Sequence, residues 1–182
     1  MVKINKPRLT LLQQDILSLL FKKAGLALNQ RQIAKALSVT PPAVLKALPL
    51  LEKLNYISIK QDKESKRYSI EINRNNHFLM QLKRVDNLRN IYTSGLADFL
   101  EREYAGATII LFGSYSRGED LHNSDIDIAI IERKEKDLEL GKYEEELGRE
   151  IHLLFFDSFK KINENLRNNI LNGIILVGSV EV

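Results

Sequence analysis

The residues with the most chemical potential lie close together: Gly113-Ser114, ten intervening positions, then Asp125-Ile126-Asp127. Apolar runs flank them, Thr108–Phe112 before and Ile126–Ile131 after. Both predict strands, being short, rich in Ile and bounded by Gly and polar residues. Side chains alternate along a strand, so Asp125 and Asp127 project to one side, about 7 Å apart. Two carboxylates at the head of an otherwise buried strand need a counter-charge, because unpaired buried charge is costly, and a divalent cation is the usual one. The pattern is that of a catalytic site, or the remains of one.

The elements that must hold these residues alternate helix and strand. Residues 76–104 contain no Pro and carry apolar residues from Phe78 and Leu79 through Ile91 to Phe99 and Leu100, which predicts one long amphipathic helix ending near Gly106, with Gly95 marking a bend or a close approach. Beyond the Asp pair, Glu135–Gly148 predicts a highly charged helix with a solvated face. Ile151–Phe156 predicts a third strand, Asp157 or Ser158 a cap for a helix through about Asn168, and Gly173–Val177 a final strand. Such alternation makes an α/β or α+β unit with a mixed sheet.

The first half is organised differently. Leu9, Leu12, Ile16, Leu19 and Leu20 set a helical period that stops at Gly25. A second helix fits Asn29 to Leu37, and a third begins at Thr40-Pro41, with Thr40 capping and Pro41 at the first helical position, and ends at Asn55. Two β-like stretches, Tyr56–Lys60 and Arg67–Ile72, flank a polar tip. This order resembles a winged helix-turn-helix domain over roughly residues 8–74. The resemblance implies a third helix entering a DNA major groove, with Thr40 and Lys46 contributing, and a wing touching phosphates through Lys63, Lys66 and Arg67. Against base reading, Leu45, Pro49 and Leu50 face solvent if Val44, Leu48 and Leu51 face the core, and Pro49 favours a kink. That apolar surface suits a protein contact such as a homodimer.

Charge divides the chain in the same place. Residues 1–90 hold 17 Lys and Arg against 6 Asp and Glu, a net +11, whereas residues 91–182 hold 10 against 18, a net −8. A basic module joined to an acidic one points to two domains, 1–75 and 76–182, with different partners, the first a polyanion. The absence of Cys excludes disulfides and thiolate metal sites and fits a cytoplasmic protein. No apolar run approaches a membrane span, and the N-terminus lacks the apolar core of a signal peptide.

Leu111-Phe112-Gly113-Ser114, Arg117-Gly118 and Ser124-Asp125-Ile126-Asp127-Ile128 resemble the minimal nucleotidyltransferases of the DNA polymerase beta superfamily, over about residues 77–178. The expected fold is therefore α+β: a winged helix-turn-helix joined to a small mixed-sheet nucleotidyltransferase domain. The resemblance implies that Gly113 and Ser114 hold the phosphates of a nucleoside triphosphate such as ATP, and that Asp125 and Asp127 hold Mg²⁺. Arg117 either binds a phosphate oxygen or pairs with Glu119 or Asp120. One departure matters. The family's third carboxylate position falls on His152, with Glu150 two residues earlier on the same face. Either His152 acts as general base, or Glu150 supplies the missing carboxylate, or the domain binds nucleotide without turning it over.

Two functions follow. The first is Mg²⁺-dependent transfer of a nucleoside monophosphate to a protein or RNA hydroxyl. By family analogy this implies an antitoxin-like protein that acts on a HEPN-type toxin and binds DNA. The second is a transcriptional regulator whose nucleotidyltransferase-like domain senses a nucleotide or is inactive.

Overall fold

The computed structural model describes residues 8–61 and 68–180. The chain divides into two compact units, Met1–Leu79 and Met80–Val182. Among the described residues, no helix is long and apolar enough to cross a membrane.

Local capping sets the first unit. Helix α1 (Leu11–Lys22) opens with a capping box: the Thr10 side chain accepts from the Gln13 N–H, and the Gln13 side chain accepts from the Thr10 N–H. Asn29 and Gln32 repeat the device at α2 (Gln30–Ala36). Thr40 caps α3 (Pro41–Lys53), where Pro41 sits at a position whose N–H has no helical partner. The three helices bury Ile16, Leu20, Ile33, Val44, Leu48 and Leu51. Asn55, at φ 59°, turns the chain into an antiparallel hairpin of β1 (Ile57–Gln61) and β2 (Tyr68–Ile72), and Leu28 bridges to Ile70 at its edge.

Three helices followed by an antiparallel hairpin are the element order of a winged helix-turn-helix. Leu45 and Pro49 are exposed, and α3 runs on through Pro49 to Lys53. The carbonyl that the missing Pro49 N–H would have bonded belongs to exposed Leu45. Lys63, Lys66 and Arg67 lie outside the described residues.

The second unit is a mixed four-stranded sheet in the order β5-β4-β3-β6. Strand β3 (Thr108–Phe112) pairs antiparallel with β4 (Ile126–Ile131) and with β6 (Ile174–Val177), while β4 pairs parallel with β5 (Ile151–Phe156). One face presents Ile109, Leu111, Ile126, Ile128 and Ile130 to a core shared with Ile91, Leu96, Leu100, Tyr143 and Leu147. The other presents Ile110, Phe112, Ala129 and Ile131 to Ile162 and Ile170.

Three expectations need correction. The long helix is two, α4 (His77–Thr93) and α5 (Leu96–Glu103), because Gly95 at φ 75° cannot continue a right-handed helix. Open space surrounds Gly95, so it serves the bend and not a close approach. The charged segment is helical only over α7 (Gly141–Leu147). Before it, Leu138 and Leu140 both pack on the core, a period of two that extended chain satisfies and a helix does not. Finally, Asn163 caps α8 (Glu164–Leu171), accepting from the Leu166 N–H, while Asp157 pairs instead with Lys161 at 2.7 Å.

Candidate active site

Parallel pairing puts Asp127 opposite His152, and the Ile126 N–H donates to the Glu150 carbonyl. Strand alternation therefore sets Asp125, Asp127, Glu150 and His152 on one face at one end of the sheet. Farther along that face, Ala129, Ile131, Leu154 and Phe156 pack with Ile162 and Ile170. At the site end the cover stops: the His152 side chain is 51% exposed and that of Asp125 42%.

The imidazole stands between two carboxylates. Its Nδ1 is 3.7 Å from Asp125 Oδ2 and its Nε2 3.8 Å from Glu150 Oε2. One donor atom each from Asp125, Glu150 and His152 fall within 4.8 Å of one another, close enough for a shared cation. Asp127 sits deeper. Burial pushes its carboxyl above the ordinary carboxylate range; His152 opposes the shift and Asp125 adds to it.

Phe112 pairs with Asp127, so Gly113 follows directly beside that carboxylate. Gly113 has φ 74°, and a Cβ there would lie 2.4 Å from Asp127 Oδ2. The glycine thus clears the space that the carboxylate occupies. It also begins the short helix α6 (Gly113–Arg117), whose second residue is half-buried Ser114. Asp125, Glu150 and His152 form a donor group that suits a divalent cation, and the Asp127 carboxylate lies next to it on the same strand face, outside that group.

Other candidates lie elsewhere. Arg117 ends α6 with Nε donating to Glu119 Oε2 at 2.8 Å and Nη1 to Asn169 Oδ1 at 3.0 Å, so its guanidinium is engaged within the protein. In the first unit, Thr40 Oγ1 accepts the Ala43 N–H at 3.4 Å, and Lys46 is exposed on α3.

The sequence reading missed a buried ion network that ties the site's two loops together. The Asp120 carboxylate accepts from Lys83 Nζ, from Asn87 Nδ2 at 2.7 Å and from Arg149 Nη2 at 3.1 Å. Asn87 also donates to the Tyr115 carbonyl at 2.9 Å, and Arg149 donates to the His122 carbonyl. Asp120 and His122 belong to the loop that delivers Asp125; Arg149 directly precedes Glu150. One signal was available: Lys83 falls four residues after Leu79 on the stripe of α4 that leads to Ile91, where an apolar residue is expected.

Residues 94–179 match the family model of the nucleotidyltransferase domain. This segment is a nucleotidyltransferase domain. The matched span runs from just before α5 to just after β6, and so contains Gly113, both aspartates, Glu150 and His152. No curated protein matches the chain.

Among solved structures, the chain is similar to S. aureus MepR in complex with DNA, at 25% identity over 52% of this chain and 77% of that one, with a TM-score of 0.39. It is also similar to the adhesin competence repressor AdcR of Streptococcus pyogenes, at 22% identity over 54% and 69%, with a TM-score of 0.41. A variant of Lactococcus lactis ZitR matches at 19% identity over 58% and 71%, with a TM-score of 0.39. The winged helix-turn-helix stands on its own element order, three helices and a hairpin.

Proposed function

We propose that the second unit transfers a nucleoside monophosphate, AMP by preference, from a nucleoside triphosphate to a hydroxyl on a protein or RNA. The observation that carries this reading is the gathering of Asp125, Asp127, Glu150 and His152 beside the Gly113 turn, at an open sheet end within a nucleotidyltransferase domain. Asp125 and Asp127 would hold the metal, with Mg²⁺ the ion expected to accompany the nucleotide. When bound, it would neutralise phosphate charge and polarise the α-phosphate.

The chain's own groups do the rest. The Ser114 hydroxyl and the backbone of the Gly113 turn hold phosphate oxygens, and the exposed face admits an acceptor. The acceptor oxygen bonds to the α-phosphorus as the bond to the β-phosphate oxygen breaks and pyrophosphate leaves. The acceptor's proton passes to His152 Nε2 or to the Glu150 carboxylate, the two exposed bases on that face.

In the same reading, the first unit is a DNA-binding module. Its support is the winged helix-turn-helix arrangement and the net +11 of residues 1–90. An antitoxin-like role towards a HEPN-type toxin accords with such a pairing of modules. A second reading, a regulator that binds nucleotide without turnover, is favoured by one observation: an imidazole, His152, occupies the third-strand position opposite Asp127.

Calorimetric titration with a non-hydrolysable ATP analogue, with and without Mg²⁺, tests the proposal, followed by incubation with labelled ATP. Mg²⁺-dependent binding that is lost in Asp125→Asn and Asp127→Asn, together with label transfer, supports the enzyme. Binding without transfer to any acceptor supports the regulator. No nucleotide binding overturns both.

A further inference from the structure

We propose that the free edge of β5 is a docking strand for an extended segment of another protein that carries Lys or Arg at alternate positions, pairing beside Leu153 and Phe155. The sheet order β5-β4-β3-β6 leaves two edges. The β6 edge is only four residues long and its pairing carries a register shift, both of which blunt an edge. The β5 edge is six residues of Ile-His-Leu-Leu-Phe-Phe in unbroken register with β4, without Pro, Lys or Arg.

The bonds to β4 show which backbone groups face outward. The Ile126 N–H donates to the Glu150 carbonyl, and the Glu132 N–H donates to the Phe156 carbonyl. Bonding alternates along a strand, so His152, Leu154 and Phe156 bond inward while Ile151, Leu153 and Phe155 point out. The Ile151 N–H donates to Glu144 Oε1 at 2.9 Å, which closes that end of the edge. The Leu153 and Phe155 N–H groups have no partner among the described residues.

The same residues line a groove of about 590 Å³ between β5 and residues 135–140. Leu138, Leu140, Leu153 and Phe155 supply its apolar surface, and exposed Glu135 and Asp137 lie beside them. Lys136 directs its charge into the protein: Nζ donates to the Glu103 carbonyl and lies 5.0 Å from the centre of the Tyr104 ring. An apolar surface with carboxylates beside it fits the long stem and cationic head of Lys or Arg. Outward N–H and carbonyl groups on an edge fit an extended backbone, with alternate side chains entering the groove. The net −8 of residues 91–182 favours the same charge in the partner. A second copy of β5 would bring no cation to these carboxylates.

The test follows amide hydrogen exchange by NMR in the full chain without nucleotide. In the free chain, the Leu154 and Phe156 amides should exchange slowly and those of Leu153 and Phe155 fast. The probe is acetyl-Lys-Thr-Lys-Thr-Lys-amide at millimolar concentration. It should slow exchange at Leu153 and Phe155 about tenfold or more. The same peptide with a fully N-methylated backbone should not, nor should one with Glu in place of Lys. Glu135→Gln combined with Asp137→Asn changes only exposed groups, and should weaken probe binding about three- to tenfold. Absence of protection at Leu153 and Phe155 overturns the proposal, as does equal protection by the basic and acidic peptides. Slow exchange of these two amides in the free chain also overturns it. If that protection is lost on dilution, a second copy covers the edge; if it persists, a segment of this chain does. Because nucleotide is absent, failure of ATP-analogue binding in the separate calorimetric titration removes the proposed function alone.

Discussion

Asp120→Asn should be the most destabilising conservative change in the second unit. The carboxylate is buried and receives Lys83, Asn87 and Arg149, with both cations buried as well. Asparagine keeps the shape but removes the charge that both buried cations share. Removing one partner of a buried ion pair costs about 3–5 kcal/mol. At about 2–4 °C per kcal/mol for a chain of this size, the affected transition should fall by roughly 10 °C.

Burial already pushes the Lys83 ammonium below its ordinary value of 10.5, and Asp120 is the main group opposing that shift. In the variant the Lys83 pKa falls further. The unfolded state then binds more protons than the folded one up to the ordinary lysine value, so the deficit should shrink as pH rises towards 10.5. Differential scanning calorimetry of the full chain across pH measures this, reading whichever transition moves. Adding Lys83→Met removes one stranded charge, so the double variant should be more stable than Asp120→Asn alone. A loss below about 1 kcal/mol, the scale of an exposed pair, would refute the network's role, as would strictly additive effects in the double variant.

Three further expectations concern the site and the first unit. Asp127→Asn should raise the melting temperature at neutral pH while abolishing Mg²⁺-dependent binding of the ATP analogue. With its folded pKa raised, the carboxylate's stability contribution is present at acid pH and lost as pH rises through that value, so the gain from Asn should vanish below the ordinary value of 3.8; thermal melts at both pH values check this. Gly113→Ala forces a Cβ to 2.4 Å from Asp127 Oδ2 at φ 74°, and should cost about 1–2 kcal/mol of stability and weaken Mg²⁺-dependent binding of the ATP analogue, measured by melting and calorimetric titration. If the first unit binds DNA, log affinity should fall linearly with log salt, and Lys46→Ala should reduce the slope by about one; a flat salt response in a fluorescence anisotropy titration would point to a protein partner.

Much of the architecture was legible because its signals are local. Asn29 and Thr40 cap helices through bonds to residues three positions on, and Asn55 takes the left-handed turn that its position after α3 suggested. Ile151–Phe156 declared itself by its apolar run. The failures came where a local pattern admitted two answers. Apolar spacing ran through Gly95 as though the helix did, and the charged stretch before Gly141 looked helical until Leu138 and Leu140 proved to lie on the core as extended chain.

The sequence by itself determined the chemical inventory: a Gly-Ser turn, two aspartates on one strand face, and a histidine with a glutamate two residues earlier. Residue identity and strand alternation are covalent and local facts, so they are visible before folding. Only the tertiary structure decided that His152 lies opposite Asp127 with a carboxylate at each ring nitrogen, because strand register is a long-range choice. It alone also revealed that Lys83 and Arg149 meet at Asp120. These partners lie 37 and 29 residues away, and the physical reason for their pairing, the cost of burying a charge alone, exists only once the core has closed around them.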